Sequence, residues 1–152
     1  MEASMTHAAW HVQHSVEAAV SCSFAWRWRT DILNWDDPPA QFQLHGAFAS
    51  GSRGTTILPG QPPLRWQIRE VRPDTSFVID MSLDGAVLTF EWLFEPIEDH
   101  RTRITQRITL SGDNAATYVD HVRTELGRTL DEGMKRIAEA MVTAERSLQG
   151  GV

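Results

Sequence analysis

The sequence predicts an α+β fold in which a curved antiparallel β-sheet wraps around one long C-terminal α-helix, with short helices after the first strand. From Ala40 to Gly112 the chain runs in short alternating segments separated by Gly, Pro or Asp, which is typical of antiparallel strands. After Asp113 the apolar period becomes that of a helix and stays so to about Leu148. We expect a single domain over residues 1–152, a length sufficient for a buried core.

The first part of the chain supplies one strand and one short helix. Residues 10–18 alternate loosely and predict the first strand. Ser21 or Ser23 can cap a short helix that runs to about Leu33 and ends before the segment DDPP at 36–39. Six further strands are predicted over the segments QFQLHGAF, GTTILP, LRWQIREV, SFVIDMSL, AVLTFEWLF and TRITQRITL.

The dipeptide DG at residues 84–85 predicts a hairpin turn, and with it the two faces of the flanking strands. Closing the hairpin there sets Phe77 opposite Trp92 and Val78 opposite Glu91, and directly opposed residues share a face. Glu91 then lies on a mixed face, so we interpret it as a solvent-facing residue and not as a catalytic acid. The other face is wholly apolar and comprises Phe77, Ile79, Met81, Leu83, Ala86, Leu88, Phe90 and Trp92.

Two neighbouring strands and the C-terminal helix extend this dry face. Residues 64–69 and 103–110 alternate between one apolar face and one polar face, as antiparallel sheets do when one face is covered. The predicted helix has an apolar stripe formed by Val119, Val122, Leu126, Leu130, Gly133, Ile137, Met141 and Ala144. A glycine at position 133 is explained equally by close packing against the sheet and by a need to leave room.

Composition excludes several classes of protein. A formal charge of −6 makes nucleic acid an unlikely partner, because there is no excess of Lys and Arg to neutralise phosphates. The single cysteine, Cys22, rules out an internal disulfide framework and fits the cytoplasm. The first residues lack the pattern of a signal peptide, and no apolar run is long enough to insert into a membrane. The oligomeric state is left open.

Nearly the whole chain resembles one known family. The order of elements is similar to the helix-grip fold of the START-like superfamily, also called SRPBCC, and within it to bacterial proteins grouped as polyketide cyclase/dehydrase-like. The segments that carry the resemblance are VEAAVSCSFAWRWRTDILNW, GSRGTTILPG, WQIREVRP, FEWLFEP, TRITQRITLSG and EGMKRIAEAM. None of them is a sharp catalytic signature, so the resemblance is specific for the fold and weak for activity.

The resemblance implies a cavity between sheet and helix that holds a hydrophobic or amphipathic small molecule, such as a lipid. It also implies a mouth flanked by two loops, which correspond to residues 59–63 and to the turn at 83–85; the alternative is that the prolines at 59–63 merely stiffen a hairpin loop. The residues expected to contact the ligand are Trp66, Ile68, Phe77, Ile79, Met81, Leu88, Phe90, Trp92, Ile104, Gln106, Ile108, Val122, Leu126 and Leu130.

Motifs for other chemistry are weak, and we predict no cofactor, no metal site and no assigned catalytic residue. His11 and His14 are three apart on a strand and point to opposite faces. The segment GSRGTT lacks the GK[ST] ending of a phosphate-binding loop, and there is no GxSxG motif. Cys22 is either a thiol acidified by a helix N-terminus or a small buried apolar residue, and the second interpretation is favoured.

Two polar residues interrupt dry faces and leave the function open. Gln106 and His14 are either satisfied inside the core or orient a guest molecule in a cavity. The favoured function is binding or transport of a hydrophobic small molecule. The alternative is a polyketide cyclase or dehydratase, for which His14 is the one candidate acid or base. A protein-interaction module with a filled core is the third possibility.

Overall fold

The computed structural model of the protein describes residues 8–150. Seven strands form one antiparallel sheet in the order β1-β7-β6-β5-β4-β3-β2. Their bounds are β1 Ala8–Ala18, β2 Gln41–His45, β3 Arg53–Ile57, β4 Leu64–Arg72, β5 Ser76–Leu83, β6 Ala86–Glu98 and β7 Arg101–Ser111. The first seven residues, where the sequence predicts no signal peptide, lie outside the described part.

The predicted hairpin and its register are confirmed. Leu83 pairs with Ala86 across the turn, and further along the hairpin Phe77 pairs with Trp92 and Val78 with Glu91. Gly85 has a φ of +74°, the left-handed conformation that such a turn requires and that glycine adopts without strain. Glu91 is exposed, as expected for the mixed face of the sheet.

Short helical segments connect β1 to β2. Helix α1 spans Cys22–Arg29, and its N-cap is Ser21, whose Oγ accepts a hydrogen bond from the backbone N–H of Phe24 at 3.2 Å. A 3₁₀ turn follows at Ile32–Asn34. The ring of Trp26 packs edge-on against Phe94 at 5.4 Å between centroids, and so fixes α1 against the inner face of the sheet.

The C-terminal helix is interrupted, contrary to the continuous helix that the sequence predicts. After a 3₁₀ turn at Ala115–Tyr118, helix α2 covers Val119–Val122, a π turn covers Arg123–Gly127, and helix α3 covers Leu130–Gly150. A Cβ atom at Gly127 would lie 2.8 Å from the indole of Trp10, so close packing there requires glycine. The π turn therefore lies at the point where the chain passes closely over Trp10.

The structure corrects the predicted apolar stripe of α3 at two positions. The helix lies against β1 and α1 and buries Leu130, Met134, Ala138 and Met141, two of which the sequence analysis places off the stripe. Gly133 is only half-buried, and a Cβ atom there would meet just the end of a side chain, at 3.8 Å. Neither close packing nor a need for room therefore explains this glycine. Within the described residues, no helix is long and apolar enough to cross a membrane.

Candidate functional site

The inner face of the sheet carries a row of four aligned residues, two of which are polar. His14 of β1 pairs with Gln106 of β7, Gln106 pairs with Trp92 of β6, and Trp92 pairs with Phe77 of β5. Gln106 is 9% exposed and His14 is half-buried. Among the described residues, no side chain or backbone group is hydrogen-bonded to the Gln106 amide. The row therefore places two polar side chains beside a buried aromatic surface.

Aromatic rings from the loops cover the Phe77 end of this row. Phe77 and Trp92 are stacked with centroids 5.9 Å apart, and Phe48, from the loop between β2 and β3, meets Phe77 edge-on at 5.0 Å. Trp35, which follows the 3₁₀ turn, lies 6.4 Å from Phe48 and 5.6 Å from Trp66. Five segments of the chain, two connecting segments and the strands β4, β5 and β6, thus build one aromatic cluster.

Arg29, the last residue of α1, places its guanidinium inside this cluster. Its Cζ lies 4.2 Å from the ring centroid of Trp92 and 4.9 Å from that of Trp35. Its Nε is buried and, within residues 8–150, has no hydrogen-bond partner. The indole faces attract a cation, and this attraction strengthens when water is excluded. The arrangement is a half-buried guanidinium held by aromatic rings, with its Nε fully buried.

Local structure explains why Arg29 points inward. It lies three and four residues after Trp26 and Ala25, both buried, so all three share one face of α1. The backbone carbonyl of Arg29 accepts a hydrogen bond from the indole Nε1 of Trp35 at 2.7 Å. The amide of Asn34 donates to the carbonyl of Trp28 at 2.9 Å. The helix end and the following loop are therefore fixed together around the guanidinium.

Arg29 is a cation that forms no salt bridge with any described carboxylate. Burial lowers the pKa of Arg29 to about 9, and the charge of Asp37 opposes this effect. The guanidinium remains charged at neutral pH because its pKa stays above 7. In the described part of the chain, no carboxylate lies within salt-bridge distance of it. The interior thus offers positive charge and N–H donors.

Trp66 forms the wall on the far side of Trp35. Its indole Nε1 donates to the hydroxyl of Thr56 at 3.0 Å, inside the sheet. The ring lies over Gly54, where a Cβ atom would come within 2.2 Å of it. A structural role therefore explains Gly54 in the segment GSRGTT, because only glycine leaves room for the indole of Trp66.

The residues predicted to contact a ligand all lie on the inner surface or on the helices facing it. Met81, Phe90 and Leu126 are partly buried and pack against the core. The buried ones are Trp66, Ile68, Phe77, Ile79, Leu88, Trp92, Ile104, Gln106, Ile108, Val122 and Leu130. Their contact with a ligand stays a prediction, because burial alone does not distinguish a core residue from a cavity-lining one.

Two surface concavities lie away from the aligned row. One of about 170 Å³ is on the outer face, near Arg69 and Asp80. The other, of about 700 Å³, lies beside the start of α1 and is lined by Cys22, Asp74 and Leu93 among others. Neither borders Arg29 or Gln106, so neither is the cavity between sheet and helix that the family resemblance implies.

Cys22 does not have the environment of a reactive thiol. Burial raises the pKa of Cys22, and the charge of Asp74 raises it further. The thiol lies 3.4 Å from the carbonyl oxygen of Asp74, to which it donates. The interpretation as an acidified nucleophile is therefore wrong, and the residue is half-buried at the helix start.

A comparison with models of known protein families shows which family the chain belongs to. The family model described as polyketide cyclase / dehydrase and lipid transport matches residues 9–142. The chain belongs to this family. No curated protein sequence matches the chain at a significant level.

Solved structures of several other proteins have the same fold. Norcoclaurine synthase from Thalictrum flavum aligns with a TM-score of 0.69 at 14% identity, over 93% of this chain and 98% of that one. An aromatase/cyclase from a Streptomyces species gives 0.66 at 14% identity, over 91% and 95%. Ara h 8.0201 gives 0.68 at 14% identity, over 91% and 99%. At such identities the likeness shows the helix-grip fold and no more, and the fold prediction is confirmed.

In this member of the polyketide cyclase/dehydrase family, one of the predicted mouth loops is held firmly. The backbone N–H of Asp84 donates to the hydroxyl of Tyr118 at 3.2 Å, and the amide of Asn114 donates to the carbonyl of Asp84 at 2.9 Å. The backbone N–H of Asn114 donates to the carbonyl of Gly85 at 2.8 Å. The loop at 59–63 is largely exposed. The two loops flanking the expected mouth therefore differ in their attachment.

Sequence reasoning missed Arg29, Trp35 and Phe48. The signal for Arg29 was present, since it is spaced by four from Ala25 in an amphipathic helix. An arginine is nevertheless expected on the surface, so spacing alone does not overcome that expectation. Phe48 ends the predicted strand QFQLHGAF, but the observed β2 ends at His45, and the loop that follows brings Phe48 to Phe77.

Proposed function

We propose that this protein binds a hydrophobic or amphipathic small molecule between the inner face of its sheet and the helices α1 and α3. The observation that carries the proposal is that the Gln106 amide and the Arg29 Nε have no hydrogen-bond partner among residues 8–150 and lie beside a buried aromatic surface. Ligand pockets have this character, since they are mostly apolar with a few polar groups that orient the guest. Family membership supports the same conclusion.

Entry of a guest involves the less buried side of the aromatic cluster. Trp35 and Phe48 are half-buried and come from connecting segments, whereas Trp92 and Phe77 are fixed within the sheet. Loop residues are displaced more readily than strand residues in the middle of a sheet. We infer that Trp35 and Phe48 move when the ligand enters.

Tryptophan fluorescence tests the proposal directly. Trp35, Trp66 and Trp92 border the inner site, so a bound apolar molecule should quench or shift the emission. The protein is titrated with a fatty acid, a flavonoid and a polycyclic aromatic, and free N-acetyltryptophanamide controls for optical artefacts. Saturable curves for at least one class are expected. Failure of every class to bind saturably would contradict the proposal.

A second candidate function is that of a cyclase or dehydratase acting in the same place. The pairing of His14 with Gln106 favours it, because an imidazole beside an amide could move a proton on a bound polyketone. The test uses a reactive poly-β-ketone substrate and the variants His14→Gln and His11→Gln. If the protein is a catalyst, His14→Gln should lose turnover but still bind the substrate. His11→Gln should keep its turnover, since His11 is exposed on the opposite face of the sheet. Equal product profiles with and without the protein would exclude this function.

A further inference from the structure

We propose that the guanidinium of Arg29 receives an acidic group of the ligand, so that the guest is an amphipathic oxyanion such as a carboxylate on an apolar body. This inference rests on the proposed function, because it specifies the class of molecule that the inner site takes. Arg29 is a binding residue in this proposal and performs no chemistry.

The donors of Arg29 are the first line of support. A guanidinium has five N–H donors in a planar fork that matches the two oxygens of a carboxylate. The Nε donor is buried and has no hydrogen-bond partner among residues 8–150, and the guanidinium has no salt bridge there. Buried polar groups are normally hydrogen-bonded, and an exception points to a missing partner.

Charge is the second line of support. Burying a cation is costly unless an anion accompanies it, and the indoles of Trp92 and Trp35 supply only part of the compensation. The charge of Asp37 acts on Arg29 from beyond salt-bridge distance. An anion arriving with the ligand would complete the pair in a medium from which water is largely excluded, where such pairs are strong.

The neighbours of Arg29 define the rest of the guest. Phe77 and Phe48 offer an apolar surface on one side, and Gln106 offers an amide next to Trp92 on the other. A molecule that satisfies all of these groups has an acidic end, an apolar body and room for a second polar substituent. A wholly apolar hydrocarbon would leave Arg29 without a partner.

The test compares an acid with its neutral ester on the same apolar body. Pyrenebutyrate and its methyl ester are titrated by fluorescence into the wild type, Arg29→Met and Arg27→Met. Arg27 is exposed on the same helix. Its variant therefore removes the same charge but leaves the inner site unchanged. We expect the wild type and Arg27→Met to bind the acid at least about 10-fold more tightly than the ester. We expect Arg29→Met to bind both equally, with the affinity for the ester unchanged.

Other outcomes separate this inference from the proposed function. Equal binding of acid and ester by the wild type, or a preference for the acid that survives in Arg29→Met, would overturn the role of Arg29 and leave the binding function intact. Absence of binding of both compounds would overturn the proposed function itself. A thermal melt shows that Arg29→Met is folded. If that variant fails to fold, Arg29→Gln replaces it, and the wild-type comparison of acid with ester needs no variant.

Discussion

Two arginines on opposite sides of the sheet show how differently this molecule treats the same group. On the outer face, Arg69 donates two hydrogen bonds to Asp80, at 2.6 and 2.7 Å, and Thr89 donates a third to the same carboxylate at 2.7 Å. On the inner side, Arg29 is half-buried against two indoles, and its Nε is buried with no partner within residues 8–150. The outer pair is complete, whereas the inner guanidinium has a buried donor that no described residue accepts from. Unsatisfied groups of this kind mark function more often than stability.

The largest expected effect comes from removing the ring beneath Arg29. Trp92→Ala should lower the free energy of unfolding by about 3–5 kcal/mol, the usual cost of truncating a buried tryptophan. It would also leave the guanidinium without one of its two aromatic partners. Urea denaturation monitored by circular dichroism measures the change. A loss below about 1 kcal/mol would indicate that the inner face is not close-packed around Trp92.

A smaller loss is expected at the edge of the same aromatic cluster. Gly54→Ala places a methyl group where the indole of Trp66 lies, 2.2 Å from the added atom, so the ring must shift. Overpacking of this kind costs about 1–3 kcal/mol. Gly133→Ala is the control, because an added Cβ there meets only the end of the Arg136 side chain, at 3.8 Å, and should cost no stability. A melt of Gly54→Ala equal to that of the wild type would mean that Trp66 is not held over Gly54.

Gln106→Leu separates a structural role from a ligand-orienting role. Because the described residues provide no hydrogen-bond partner for the amide, the empty protein should lose no stability. Affinity for ligands with a polar head should fall by about 1 kcal/mol or more, and purely apolar ligands should bind as before. Thermal melts with and without ligand measure both effects. Equal destabilisation in both conditions, with unchanged affinity, would make Gln106 a structural residue.

On the outer face, the ion pair should contribute modestly and depend on pH. Partial burial raises the pKa of Asp80, but hydrogen bonds from Arg69 and Thr89 outweigh it and leave the pKa below its usual value of 3.8. The stabilisation is therefore present above 3.8 and is lost as the pH falls through the lower folded-state pKa. Asp80→Asn should cost no more than about 1 kcal/mol at neutral pH, because both side chains are partly exposed. Denaturation at pH 7 and at acidic pH should show this difference shrinking, and a constant difference would contradict the assignment.

The smallest effect is expected at Glu91, the neighbour of Trp92 that points the other way. Glu91→Gln should change stability by no more than about 0.5 kcal/mol and leave ligand affinity unchanged. It is the matched control for Trp92→Ala, since the two residues are adjacent on β6 and lie on opposite faces. A substantial loss of stability or of affinity would return Glu91 to the functional residues.

The two faces also differ in how far the sequence predicts them. The hairpin register follows from one turn signal and a period of two, so local information suffices to place Trp92 inward and Glu91 outward. The position of Arg29 depends on the docking of α1 and on the loop that carries Trp35, which no local period specifies. The break between α2 and α3 escaped prediction because it lies where Gly127 packs on Trp10, a contact between residues far apart in sequence.

Native mass spectrometry tests the central claim, that the inner face holds a small molecule, most directly. Freshly purified protein is measured alone and after addition of excess pyrenebutyrate. The account predicts a non-covalent complex with one ligand per chain, either retained through purification or formed on addition, that disappears when the protein is denatured. Only the mass of the bare polypeptide in both samples would contradict it.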